Sequence, residues 1–141
     1  MTAKKYLRGL QRLDTMISQK LDELASLKAT LTTIGGIDYS KDRVQTSRSQ
    51  EAPFEKTIAR IVDLNAEIDR EIDNFVDRKH TIINQIQGLE NTTYVEILYK
   101  RYVEYKRLEM ISVEMNLTYQ YVRELHGKAL QAFESSYINL H

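Results

Sequence analysis

The sequence predicts an all-α chain: a long antiparallel, coiled-coil-like helical hairpin followed by a small C-terminal unit of short helices. Three observations predict it. Two long segments place apolar residues alternately three and four apart, the spacing of a helix seam. A polar stretch with no period separates them. Near the C-terminus, two short amphipathic segments flank a turn. The single proline and five glycines among 141 residues leave long helices uninterrupted.

The first helix is expected over about residues 3–33. Leu10, Ile17, Leu24 and Leu31 fall seven apart, with Tyr6, Leu13 and Leu27 between them and Lys20 interrupting the stripe. At about 1.5 Å per residue it would be roughly 45 Å long. Such a stripe needs a partner to cover it. Gly35 and Gly36 end the helix. Residues 35–52 read as a flexible connector, in which Lys41, Arg43 and Arg48 are balanced by Asp38, Asp42 and Glu51. Pro53 suits the first turn of a second helix over about 53–90. Its seam reads Ile58, Ile61, Asn65, Ile68, Ile72, Phe75, Lys79, Ile82, Ile86 and Leu89. Asn65 in that seam would fix register at a cost in stability, and the Lys79 stem would snorkel to solvent.

Charge supports the pairing of the two helices. Residues 1–31 carry Lys4, Lys5, Arg8, Arg12, Lys20 and Lys28 against Asp14, Asp22 and Glu23, a positive balance. Residues 54–92 carry Lys56, Arg60, Arg70, Arg78 and Lys79 against Glu55, Asp63, Glu67, Asp69, Glu71, Asp73, Asp77 and Glu90, a negative one. Oppositely charged segments favour lying side by side. The seams close equally well within one chain or between two chains. Flanking Leu7, Leu21, Val62, Val76 and Ile83 widen the stripes beyond one partner, and a homodimer is expected.

Residues 1–91 thus form the arm and 92–141 a second unit. Thr92 or Thr93 is expected to cap its first helix, made amphipathic by Tyr94, Ile97, Leu98, Tyr102 and Val103. Tyr105-Lys106-Arg107 links it to the next. There Leu108, Ile111 and Met115 share a face, and Asn116 suits the left-handed exit from a helix. Thr118 offers an oxygen to the free N–H groups of the following helix. Val122, Leu125 and Ala129 form the inner face of that helix. This is the pattern of a helix-turn-helix, which lays its second helix in a DNA major groove. Two ordinary bundle helices share the same spacing. Past Leu130 the helix should run through Phe133 and fray at Ser135-Ser136, leaving Tyr137 to Leu140 loose or packed on the core.

The residues also resemble a family. Ile111-Ser112-Val113-Glu114-Met115-Asn116 with Thr118 is similar to the turn of sigma-factor region 4. Leu125-His126-Gly127-Lys128-Ala129-Leu130 resembles the ending of small phage-encoded proteins of Gram-positive bacteria related to late-operon transcriptional regulators. Ile97-Leu98-Tyr99-Lys100-Arg101-Tyr102 looks like the helix preceding the turn in both groups. Lys5-Tyr6-Leu7 and Ile61-Val62-Asp63-Leu64 also look like the phage group, so the likeness spans nearly the whole chain. It implies a phage or prophage transcriptional regulator in the cytoplasm of a bacterial host, binding double-stranded promoter or operator DNA, with host RNA polymerase as a partner of the arm. Tyr119 and Tyr121 stand where the sigma family has arginines.

The DNA-facing residues expected are Thr118, Tyr119, Gln120, Tyr121, Arg123, Glu124 and Lys128. Thr118 would place the helix N-terminus near a phosphate. Gln120 and Arg123 would read base edges, flanked by Tyr119 and Glu124. Lys128 would hold the backbone, with Gly127 leaving room for close approach. The rival expectation is an interaction or assembly module working through the arm. A small terminase subunit also combines these parts, but in the reverse order.

No enzyme is expected. There is no cysteine, so no thiolate metal site or disulfide. His80, His126 and His141 lack metal-ligand spacing and read as surface or DNA-facing residues. The acidic residues of the second helix scatter around the rod. No phosphate-cradling loop or nucleophile motif occurs, and no cofactor is expected. No apolar run reaches membrane-spanning length and the N-terminus lacks a signal-peptide core. Net charge is zero, which limits non-specific attraction to nucleic acid.

Overall fold

The computed structural model describes residues 1–35 and 43–139, all-helical with no strand among them. Helices α1 (Ala3–Gly35) and α2 (Arg43–Gln87) are long. Three short ones follow: α3 (Thr92–Leu98), α4 (Leu108–Met115) and α5 (Tyr119–Phe133). The chain divides into two compact units, one of residues 1–14 with 74–141, the other of residues 15–73.

In the smaller unit, Leu24 packs with Leu64 and Ile68, joined by Leu27 and Ile61. Lys20, the break in the α1 stripe, sends its ammonium to Glu67 at 2.6 Å and to Glu71. Its pKa is raised by the hydrogen bonds to Glu67 and then Glu71. The interruption is thus a cation set between two carboxylates of α2. The buried position on α2 is Leu64; Asn65, expected in the seam, is exposed. Stepping 61-64-68 rather than 61-65-68 keeps an apolar residue at each turn, and the asparagine stays in water.

Helix α2 begins at Arg43, ahead of Pro53, where the sequence predicts the start. Residues 43–52, expected in the connector, are therefore helical. Their polar side chains give no apolar period, yet none of them breaks a helix. The proline removes one backbone donor inside the helix. Residues 36–42 of the expected connector lie outside the described residues.

In the larger unit, Leu7, Leu10, Ile82, Ile86, Leu98, Ala129 and Phe133 form one fully buried core, with Tyr6, Tyr94, Tyr137 and Ile138 packed on it. The Tyr6 hydroxyl donates to Gln85 Oε1 at 2.7 Å. Residues Glu134–Ile138 continue as a π-helical turn and seat Tyr137 and Ile138 on the core, so the expected fraying at Ser135 is absent. Gly88 lies so close to the Tyr137 hydroxyl that a Cβ would collide with it.

Asn91, not Thr92 or Thr93, caps α3: its Oδ1 accepts from Thr93 N at 2.9 Å and Tyr94 N at 3.3 Å. Helix α3 passes into a π-helical turn, Tyr99–Val103. Tyr105 then takes φ 60°, and Lys106 N–H returns to the Lys100 carbonyl at 3.0 Å. This left-handed step ends the helix and redirects the chain into α4. Asn116 does the same after α4, at φ 56° and ψ 43°, with Leu117 N–H bonded to the Ser112 carbonyl at 3.0 Å. Thr118 is extended, and its Oγ1 accepts from Tyr121 N at 3.2 Å.

Asn116 tolerates the left-handed region because its short amide side chain bonds locally; glycine tolerates it for want of a Cβ. Asn116→Gly should leave the midpoint of urea unfolding close to the parent's. Asn116→Val should lower stability by about 1–2 kcal/mol, as read from the same titration.

Candidate nucleic-acid interface

Helices α3, α4 and α5 meet at a small apolar centre of Ile97, Ile111, Val122 and Leu125, with Leu108, Met115 and Leu117 around it. That centre fixes which face of α5 points outward. Val122 and Ala129 are fully buried and Leu125 nearly so. Thr118, Tyr119, Gln120, Tyr121, Arg123, Glu124 and Lys128 are all exposed. At 3.6 residues per turn, Gln120, Glu124 and Gly127 run along the middle of the outer face. Tyr119 and Arg123 form one flank; Tyr121 and Lys128 form the other.

Three features mark this surface. The Arg123 guanidinium lies 5.8 Å from the centre of the Tyr119 ring, one turn back on the same helix. Such a contact contributes about 0.5–1 kcal/mol at an exposed site and restrains the arginine. Gln120, Arg123 and Glu124 line a shallow hollow of about 450 Å³. A Cβ at Gly127 would meet nothing within 4 Å, so no packing in the chain requires glycine there.

The basic residues before α5 are largely spoken for. Glu114 accepts from Lys100 at 2.6 Å and from Lys106 at 2.9 Å. The hydrogen bonds from Lys100 and then Lys106 hold its carboxyl below the usual carboxylate range. Arg101 donates to the Lys106 carbonyl at 3.1 Å. Arg107 is exposed and stands at the N-terminus of α4 in extended conformation, with no side-chain cap. The spacing gives no sign of the Glu114 clamp, because Lys100 lies before the left-handed Tyr105 and Lys106 in the link after it, neither on α4 with Glu114. On α4, Met110 and Val113 are exposed, Val113 by 71%.

His126 does not face outward with these residues. It stacks on Tyr102, with ring centres 5.7 Å apart, and shares a 2.8 Å hydrogen bond between its Nε2 and the Tyr102 hydroxyl. Burial, then Arg101 and Lys4, push its pKa down to about 4. Burial likewise raises that of Tyr102. Both rings are neutral near pH 7, and the pair ties α5 to the turn after α3. His80, on α2, lies 3.1 Å from Asn84, and His141 lies outside the described residues. Among the described residues, no group of histidines and carboxylates is placed to hold a metal ion, and no helix is long and apolar enough to cross a membrane.

No protein-family model, no curated protein and no solved structure matches the chain.

Because the folded pKa of His126 lies below its unfolded value near 6.5, the unfolded chain takes up the proton first on acidification. The contribution of His126 is complete above about pH 6.5 and is lost as pH falls toward 4. His126→Gln should therefore show a shallower loss of stability between pH 6.5 and 4 than the parent, measured as urea midpoints across that range.

Proposed function

We propose that the chain is a transcriptional regulator of phage or prophage origin that binds promoter or operator DNA through α4 and α5. On this reading α4, the Asn116–Thr118 turn and α5 are a sigma-region-4-like helix-turn-helix, and α5 enters the major groove. One observation carries it. The turn closes on a left-handed asparagine and a capping threonine while Val122, Leu125 and Ala129 point inward, which leaves the seven expected DNA-facing residues together on open surface. Helices α1 and α2 form the antiparallel hairpin arm. Its support within the smaller unit is that Lys20 reaches Glu67 and Glu71, while Leu24, further along α1, packs in one cluster with Ile68 and with Leu64, which lies further back on α2 than either carboxylate. The arm brings two copies together and contacts the host RNA polymerase in the bacterial cytoplasm.

Gln120 and Arg123 read base edges. Lys128, on the far flank, binds the phosphate backbone and sets register. Tyr119, whose ring centre lies 5.8 Å from the guanidinium, restrains Arg123.

The second reading is an interaction or assembly module. The neutralised Lys100 and Lys106 and the exposed Met110 and Val113 favour it, because a surface of that kind suits a protein partner better than a phosphate backbone. Neither reading includes catalysis.

A gel-shift series with DNA from the gene's own neighbourhood, at two salt concentrations, separates the two. Retardation that weakens with salt is the expected outcome; none at low salt would install the second reading. Arg123→Ala should erase preference for the cognate site, a loss of about 1–3 kcal/mol of discrimination, with the circular dichroism spectrum unchanged. Lys128→Ala should weaken cognate and random DNA alike and reduce the salt slope by about one unit. A folded Arg123→Ala protein that binds its site like the parent would remove α5 from the reading of bases.

A further inference from the structure

We infer that two copies of the chain pair through a second stripe on α2, antiparallel about a two-fold axis between Asn65 and Asp69. The seam that α1 covers runs through Ile61, Leu64 and Ile68. About a quarter turn further round the helix, Glu55, Ile58, Val62, Asn65, Asp69, Ile72, Val76 and Lys79 follow one another at steps of three and four. Its four apolar members are open to solvent: Ile58 by 38%, Val62 by 59%, Ile72 by 37% and Val76 by 56%. An exposed apolar row sustained over several turns of one helix needs a partner.

The order of residues in the stripe identifies that partner as a second copy. A two-fold interface must be self-complementary, and this stripe reads the same step pattern in both directions. Laid antiparallel on itself, Ile58 meets Val76 of the second copy and Val62 meets Ile72. Asn65 meets Asp69, so an amide donor faces a carboxylate acceptor. At the two ends Glu55 meets Lys79, whose long side chain lies only partly buried over Phe75. Every layer is thus apolar on apolar, donor on acceptor, or opposite charges. A parallel, in-register pair would instead set Asp69 on Asp69, Glu55 on Glu55 and Lys79 on Lys79, three like-charge layers.

This inference names the surface for the two-copy reading above and rests on that reading, but not on DNA binding, so a failed gel shift leaves it intact. The chain has no cysteine, which makes disulfide trapping clean. Val62 and Ile72 of one helix lie about 15 Å apart at 1.5 Å per residue. Val62→Cys and Ile72→Cys proteins, each alone under mild oxidation, should give no cross-linked dimer; mixed, they should give one. A Val62→Cys protein that cross-links to itself would show parallel pairing and overturn the proposal. Light scattering at tens of micromolar should give twice the chain mass for the parent, and a monomer there would also overturn it. Val62→Glu should weaken the dimer at least about tenfold by burying an unpaired charge. Because Val62 is exposed in the single chain, its circular dichroism should stay helical. A folded Val62→Glu protein that dimerises like the parent would place the interface elsewhere.

Discussion

Three short helices share one small apolar centre, and the geometry of the C-terminal unit depends on it. Helix α3 has seven residues and α4 eight; isolated helices of that length are marginal in water. Each persists because Ile97, Ile111 and Val122 are driven together out of solvent. The loops between them do not hold them straight; they turn them. Tyr105 and Asn116 each take the left-handed conformation and redirect the chain within a few positions. A left-handed tyrosine is costly, since its Cβ crowds the carbonyl. It is retained where Tyr105 is partly buried and its hydroxyl is held by Asp14; burial, then that bond, raise its pKa. Local strain in the turn is offset by packing on either side.

The parts of the fold set by short-range patterns were legible from the residues. The α1 stripe of Leu10, Ile17, Leu24 and Leu31, the left-handed Asn116, the Thr118 cap and the inward Val122, Leu125 and Ala129 each follow from spacing or from the chemistry of one residue type. So does the outward set on α5, because a helix whose inner face is known has its outer face determined. All of these concern the nearest few residues, where helix geometry leaves few choices.

What the spacing could not supply depends on contacts distant in sequence or on ties between equivalent candidates. The α2 seam offers two tracks, through Leu64 or through Asn65, and the pattern of three and four permits either. Burial chooses the leucine because an asparagine there would need a buried partner. Asn91, Thr92 and Thr93 are all competent caps, and the backbone decides by taking the extended conformation at Asn91. His126 is polar and sits beside exposed neighbours, so sequence places it outward; the Tyr102 ring, on another element, draws it in. The Glu114 clamp is invisible for the same reason.

Charge sets the terms on which the α5 surface can act. Residues 92–141 carry equal numbers of basic and acidic side chains, and two of the basic ones are held by Glu114. Long-range attraction to a polyanion is therefore small, and little affinity is available from counterion release. If α5 binds DNA as proposed, it would work through short-range contacts: the N-terminus capped by Thr118, the amide of Gln120, and Arg123 beside the Tyr119 ring. A few such contacts discriminate between sites better than they bind any of them. In the proposed dimer, a second weak contact would be governed by effective concentration rather than by bulk affinity, which would supply what one copy lacks. On the proposed reading, the exposed stripe on α2 and the balanced charge around α5 belong together: pairing of chains would supply the affinity and α5 the choice of site.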